Sequence, residues 1–155
     1  MKNLFLFMAI TLVGLGGCSE KRSQPLAIDN SLTQEEIAAG VLSPEVMWKM
    51  GRVGLASLSP DASRLLYTVT WYNMQENRGV TAIYVRDAAS GEVAQLTDFS
   101  SNNSDPKWNA DGSKIYFLSD LSGSSQIWEM AADGQNPRQL SKLDKDIEGF
   151  GVNPA

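Results

Sequence analysis

The chain repeats a pattern of short segments, and this repeat restricts its fold more than any other feature. Leu58–Tyr67 aligns with Trp108–Phe117 at an offset of 50 residues. A period of about 40–45 residues made of short strands is typical of one four-stranded propeller blade. The repeat therefore predicts an all-β fold, an incomplete β-propeller preceded by short helices. Two further alignments have an offset of 44: Ile83–Val85 with Ile127–Glu129, and Gln95–Thr97 with Gln139–Ser141.

The repeat also places the blades along the chain. It predicts a partial propeller over residues 52–155, with blade 1 at 53–97 and blade 2 at 104–141. Val152–Pro154 lies 44 residues after Trp108–Ala110, which predicts the opening strand of a third blade at 147–155. Because the sequence stops at Ala155, where the third turn should continue, we expect the chain to be the front part of a longer propeller protein.

The first copy of the repeat carries an insertion, since its two offsets differ by six residues. The insertion falls around Trp71–Val80, between two strands that the second copy joins with Asp120–Ser124. Loops that depart from a regular scaffold often carry function. The insertion therefore predicts a longer hairpin that covers a neighbouring blade, or alternatively a loop that reaches a substrate or a partner domain. The residues assigned to this contact are Trp71, Tyr72, Gln75, Glu76, Asn77 and Arg78.

Residues 1–17 have the pattern of a targeting signal. A basic start precedes the apolar run Leu4–Leu15, which is too short to cross a bilayer as a helix but suits the core of a signal peptide. Small residues then lead to Cys18, the single cysteine, as in a bacterial lipoprotein signal. This resemblance implies cleavage before Cys18 and its lipidation, and Ser19 after it favours the outer membrane, facing the periplasm or the exterior. The alternatives are an ordinary secretory signal with a coincidental cysteine, or a buried apolar helix.

Two segments separate this signal from the propeller. Residues 18–30 are polar and predict a flexible tether. Residues 31–51, called the lead-in below, carry two helix signals. Capping-box spacing at Thr33 predicts a helix over Gln34–Ala39 that ends at Gly40. Ser43 and Pro44 predict a second helix that stops at Gly51. Its apolar face, formed by Met47, Trp48 and Met50, is expected to pack against the segment that follows.

The composition excludes several classes of site from this chain. It contains no histidine, and no two of its 13 glycines lie four residues apart, so neither a Ser-His-Asp triad nor a Gly-x-Ser-x-Gly elbow is encoded. We therefore expect no catalytic residue and no cofactor in this chain. We also expect no metal, because the aspartates recur at turns and lack the ligand spacing of a calcium loop. A net charge of −5 argues against a nucleic-acid partner.

Several motifs resemble one family. Ser43-Pro44-Glu45 runs into the first blade, and Glu76–Gly79 lies in the insertion. Leu58–Asp61 and Asn109–Gly112 lie at the equivalent turns of blades 1 and 2. From Leu42 onward the chain resembles the N-terminal propeller of bacterial prolyl oligopeptidase family serine peptidases, in the dipeptidyl and acylaminoacyl peptidase branch. The Ser-Pro-Asp and Gln-Leu-Thr elements are also similar to the propeller of TolB, a non-enzymatic binding module.

The resemblance implies partners that are absent from these 155 residues. In that family an α/β-hydrolase domain with a Ser-Asp-His triad follows the propeller, and the propeller limits access to oligopeptides. The implied partners are further blades, the hydrolase domain, a peptide substrate, and a membrane reached through the lipid anchor. No position of this chain matches the motifs that hold the triad. The alternative reading is a propeller lipoprotein that only binds other proteins in the periplasm.

Overall fold

A computed structural model describes residues 26–153 of the chain. It contains two four-stranded antiparallel sheets, in the orders β1-β2-β3-β4 and β5-β6-β7-β8. Each sheet is one blade, so the predicted all-β fold with an incomplete propeller is confirmed. The elements are α1 Gln34–Ala39, α2 Pro44–Trp48, β1 Arg52–Leu58, β2 Arg64–Asn73, β3 Arg78–Asp87, β4 Val93–Gln95, β5 Asn103–Trp108, β6 Lys114–Ser119, β7 Gln126–Ala131 and β8 Arg138–Gln139.

The two blades use the same hydrogen bonds at equivalent turns. Between β1 and β2 the Asp61 carboxylate accepts from the Ser63 amide, and between β5 and β6 Asp111 accepts from the Ser113 amide. At the outer edge the Thr97 hydroxyl accepts from the Ile83 amide, as the Ser141 hydroxyl does from the Ile127 amide. These short polar side chains satisfy backbone groups that a strand end leaves unpaired. The sequence repeat is therefore a repeat of turn and strand-end chemistry.

Ala62 has the same backbone conformation as the glycine at its equivalent position. Its φ is 58°, in the left-handed region, and that of Gly112 is 73°. A non-glycine residue pays a steric cost in this region. The turn keeps its shape nevertheless, because the Asp61 carboxylate also accepts from the hydroxyls of Ser59 and Ser63.

The main core lies between the two blades. Leu66 and Ile83 of blade 1 pack in one buried cluster with four residues of blade 2. Fully burying each such side chain stabilises the fold by about 1.5–3 kcal/mol. Because the cluster draws on both sheets, neither blade has a complete core by itself. The members from blade 2 are Trp108, Ile115, Phe117 and Met130.

Residues 142–153 contain no strand, so the opening strand expected for a third blade is not paired here. An opening strand pairs with the second strand of its own blade, which at the repeat spacing would follow residue 155. The segment still lies beside blade 2, because the Ile147 amide donates to the Ser125 carbonyl at 2.9 Å. The ammonium of Lys107 on β5 also lies 4.4 Å from the centre of the Phe150 ring.

The segment predicted as a flexible tether is docked from Leu26 onward. Leu26 is 3% exposed, and its amide donates to the Phe99 carbonyl at 3.0 Å. The Asn73 side chain donates to the carbonyl of Ala27. These contacts hold residues 26 and 27 against the segment that follows β4 and against the end of β2, and residues 18–25 of the predicted tether lie outside the described residues. Cys18 and the signal at residues 1–17 lie outside the described residues.

Within residues 26–153, neither helix is long and apolar enough to cross a bilayer.

The turn at Asp61 should make stability depend on pH. Hydroxyls of Ser59 and Ser63, with the Ser63 amide, lower the pKa of Asp61 to about 2. In the unfolded chain the Asp61 carboxyl has the ordinary aspartate pKa of about 3.9. The stabilisation from this turn is therefore complete above about pH 4 and is lost as the pH falls through about 2. Asp61→Asn should therefore lower the urea midpoint more at neutral pH than at about pH 2. An equal difference at both pH values would contradict this cause.

Candidate functional site

The insertion extends a hairpin and does not form a long loop. β2 and β3 have ten residues each, whereas the equivalent β6 and β7 have six. The pairing continues through Trp71 with Val80 and Tyr72 with Gly79, so only residues 74–77 form the tip. Aromatic and β-branched residues favour paired strands, and the Tyr72 ring covers Gly79, whose added Cβ would lie 2.9 Å from it.

The extended end of the hairpin faces the lead-in across a groove, called the hairpin groove below. Its volume is about 630 Å³, within the range of small-ligand sites. One wall comes from the lead-in and the residues before it, and the other from the end of β2 and the tip. The lining residues are Ala27, Ile28, Asp29, Pro44, Glu45, Trp48, Lys49, Tyr72, Asn73, Met74 and Gln75.

A cluster of two aromatic rings and one guanidinium joins the lead-in to the hairpin. Trp48 meets Tyr72 edge to face, with ring centres 5.1 Å apart. The Arg52 guanidinium lies 4.5 Å from the centre of each of these rings. Trp48 thus packs against the structure that follows, as the sequence predicted, whereas Met47 and Met50 stay about half exposed. α2 ends at Trp48, three residues before the predicted stop at Gly51. Gly51 itself lies against the Trp71 ring, because an added Cβ there would be 2.6 Å from it.

The groove carries charge at neutral pH. The Ser31 hydroxyl and amide lower the pKa of Asp29, and its own backbone amide with the Ser43 hydroxyl lowers the pKa of Glu45. Both carboxyls are therefore ionised. The Lys49 ammonium donates to the Glu36 carboxylate at 2.8 Å and to the Ser31 carbonyl at 3.0 Å. The bond from Lys49 lowers the pKa of Glu36. A ligand would meet two carboxylates, the Lys49 ammonium, two amide side chains and the apolar residues of the lining.

The side chains of the groove are suited to hydrogen bonding and ion pairing. Its lining contains no Ser, Thr, Cys or His, so the serine–imidazole pair of a serine peptidase is not found among these residues. Over the described part of the chain, no three acidic, Cys or His side chains come together in a way that could hold a metal ion. Peptide backbone and cationic groups are the ligands that amides and carboxylates suit.

The six residues assigned from the insertion occupy three environments. Tyr72 and Gln75 line the hairpin groove. Trp71 lies on β2, and its indole N–H donates to the Tyr84 hydroxyl at 3.2 Å. Glu76, Asn77 and Arg78 lie at or beside the tip. An Arg78 guanidinium nitrogen is 3.9 Å from a Glu76 carboxylate oxygen, and Asn77 has a φ of 47°.

Sequence reasoning missed the half of the groove that the lead-in supplies. Glu45 and Trp48 of the lead-in were not assigned to the site, and neither was Asn73 on the hairpin side. Arg52 was not assigned to any role. The sequence did contain a signal, because the aromatic Trp48 lies shortly before Gly51 and the cationic Arg52 directly after it, between the last helix and the first strand.

A second cavity, of about 410 Å³, lies between the blades. The polar side chains at its buried end bond to one another: the Ser119 hydroxyl donates to Ser101 at 3.2 Å, and the Ser101 hydroxyl to Asn103 at 3.3 Å. Because these groups satisfy one another, they fix the link between the blades.

Arg52 is expected to hold the lead-in against the hairpin. Arg52→Ala should raise amide hydrogen exchange in the lead-in by about fivefold or more, because two cation–π contacts are lost. Arg86→Ala, on the far part of β3, is the matched control and should leave the lead-in unchanged. Equal exchange in both variants would show that Arg52 has no such role.

Comparisons with known proteins agree with the fold. Residues 33–149 match the family model described as the TolB beta propeller domain. The chain is similar to dipeptidyl-peptidase 5 of Porphyromonas gingivalis, at 33% identity over 99% of this chain and 21% of that protein. It is also similar to dipeptidyl-peptidase 5 of Porphyromonas endodontalis, at 31% identity over 79% of this chain and 18% of that protein. The chain thus spans about a fifth of the length of these relatives.

Solved structures share the propeller fold. The acylaminoacyl peptidase of Pyrococcus horikoshii superposes with a TM-score of 0.59 at 18% identity, over 70% of this chain and 16% of that one. TolB of Acinetobacter baumannii superposes with a TM-score of 0.51 at 21% identity, over 63% of this chain and 23% of that one. Together with the repeat and the two blades, these matches confirm the resemblance to the propeller part of a prolyl oligopeptidase family peptidase. The chain belongs to the TolB β-propeller domain family.

Proposed function

We propose that this chain is the front part of a lipid-anchored serine peptidase that acts on oligopeptides, with its catalytic domain outside these 155 residues. The observation that carries the proposal is the match to dipeptidyl-peptidase 5, which covers 99% of this chain but only 21% of that protein. A catalytic domain would have to come from elsewhere, because this chain encodes neither a histidine nor a Gly-x-Ser-x-Gly elbow.

The exposed flank of blade 1 supports a longer propeller. Leu58 of β1 is 58% exposed, whereas Trp108, its equivalent in blade 2, is 9% exposed. Val53 is 70% exposed and its equivalent Asn103 only 2%. Blade 1 covers this face of blade 2, and nothing in the described residues covers the same face of blade 1. Propeller blades normally bury both flanks against neighbours, so a further blade is the occupant we assign to this flank.

In the proposed peptidase the hairpin groove contacts the peptide or the catalytic domain. Its carboxylates at Asp29 and Glu45 and its amides at Asn73 and Gln75 suit a peptide chain or a loop. The propeller would then restrict access to oligopeptides. Cleavage before Cys18 and its lipidation would hold the protein at the cell envelope, in the outer membrane, facing the periplasm or the exterior.

The test is the reading frame beyond Ala155. We expect it to encode further blades and then a Gly-x-Ser-x-Gly elbow followed by Asp and His. The complete gene product should hydrolyse a dipeptidyl chromogenic substrate, and the 155-residue chain alone should not. Hydrolysis by the 155-residue chain, or a frame that ends without such an elbow, would overturn the peptidase proposal. Loss of lipid labelling in Cys18→Ala tests the anchor separately.

A second function, a propeller lipoprotein that only binds proteins, has one specific observation in its favour. The family model that matches is that of the TolB propeller, and TolB of Acinetobacter baumannii shares the fold. Further blades followed by a stop codon would select this function.

A further inference from the structure

The second cavity, between the blades, combines apolar walls with a polar buried end. Its volume of about 410 Å³ is within the range of small-ligand sites, and it shares no lining residue with the hairpin groove. The three polar side chains at the buried end are only 2–7% exposed. The apolar walls come from both blades and include Leu96, Phe117, Leu121, Trp128 and Met130.

The side chains at the buried end have used all of their donor hydrogens. The Ser119 hydroxyl donates to Ser101, and the Ser101 hydroxyl donates to the Asn103 side-chain oxygen. The Asn103 amide donates one hydrogen to the Ser101 carbonyl and the other to the Thr81 carbonyl. Hydroxyl and amide oxygens can each accept two hydrogen bonds. Within the described residues each of these three oxygens accepts one, since Ser119 accepts from the Leu121 amide. The buried end therefore offers a ligand three acceptor positions and no donor.

The charge and the aromatic rings of the lining favour a cation. Asp98 lies in the linker between β4 and β5, which also supplies Ser101, and its exposed carboxylate lines the cavity. The lining includes no lysine or arginine. The faces of aromatic rings such as Phe117 and Trp128 also attract cations. An anionic ligand would meet only repulsion and oxygen atoms here.

We propose that the second cavity binds a small apolar molecule that carries a primary ammonium group. An ammonium group has three N–H donors and no acceptor, which matches the three acceptor positions at the buried end. Its charge would be costly to bury without a partner, and the Asp98 carboxylate supplies one. The apolar part of the molecule packs against the walls. This site is independent of the proposed peptidase function, because it uses no residue of the hairpin groove.

Three ligands of similar shape test the chemistry on the 155-residue chain. 2-Phenylethylamine carries the ammonium group, 2-phenylethanol has one donor and no charge, and phenylacetate has acceptors only. Calorimetric titration measures their affinities. We expect the amine to bind at least about tenfold more tightly than the alcohol, because its hydrogen bonds are charge-assisted, and we expect phenylacetate not to bind. The amine should also raise the urea midpoint, since the cavity is lined by both blades. Absence of amine binding, or equal affinities for the amine and phenylacetate, would overturn the proposal.

Asp98→Asn identifies the cavity in which the amine binds. The variant keeps an oxygen that can accept from the Ser100 amide and hydroxyl, so the linker should keep its shape, but it loses the charge. We expect the amine to bind about threefold more weakly or worse. Asp144→Asn is the matched control, because Asp144 is exposed and lines neither cavity, and it should leave the affinity unchanged. Unchanged affinity in Asp98→Asn, or a loss in Glu45→Gln instead, would place the amine elsewhere and overturn the proposal.

Discussion

Replacing Trp108 by alanine is expected to lower the free energy of unfolding by about 3–5 kcal/mol, as large-to-small changes in cores do. Trp108 ends β5 and lies in the cluster shared by the two blades. The Arg64 guanidinium lies 4.7 Å from the centre of its ring while donating to the Gly112 carbonyl at 2.9 Å. The variant loses this contact and leaves a cavity between the blades. Urea denaturation followed by circular dichroism measures the change.

Leu58→Ala is the matched control for Trp108→Ala. Leu58 occupies the equivalent position in blade 1 but is exposed, because no blade covers that flank. We expect its replacement to change the unfolding free energy by less than about 1 kcal/mol. Similar losses at the two positions would mean that the contact between the blades does not stabilise this chain.

Gly134→Ala is expected to destabilise the fold by about 2 kcal/mol through two independent effects. The residue has a φ of 85°, a region that L side chains disfavour. An added Cβ would also lie 3.1 Å from the carbonyl oxygen and 3.3 Å from the Cα of Leu96, which follows β4. These backbone atoms cannot move without displacing the outer part of blade 1. A lower thermal midpoint would report the loss.

Gly91→Ala isolates the effect of φ. Gly91 occupies the equivalent turn of blade 1 with a φ of 74°, but an added Cβ there would meet only the flexible end of the Arg86 side chain, at 3.3 Å. We expect a loss of about 1 kcal/mol. Equal losses in the two variants would contradict the proposed contact between Gly134 and blade 1.

The sequence predicted one wall of the hairpin groove but not the other. The six-residue difference between the repeats located one wall of the groove, because an insertion is visible in the chain by itself. It did not show that Trp71 and Tyr72 continue the pairing of β2 with β3, since a pairing register depends on which strand lies opposite. The other wall, with Glu45 and Trp48, depends on a long-range contact through Arg52.

The N-terminal segment illustrates the same limit. Its polar composition indicated a flexible tether, yet Leu26 is buried and its amide binds the Phe99 carbonyl. The short apolar run Leu26–Ile28 is a weak signal after a window of polar residues. It became informative only when the linker between β4 and β5 offered a site for it.

The sequence by itself determined the blades, because turns at residues such as Asp61 and Asp111 and strand ends at Thr97 and Ser141 are specified by neighbours a few positions away. Tertiary structure alone decided which faces are covered. Leu58 and Trp108 occupy equivalent positions in the two blades. Leu58 is exposed and Trp108 is buried, because a neighbouring blade covers this face of blade 2 but not of blade 1. Burial is a property of neighbours in space, and a local pattern does not encode whether the neighbour is present.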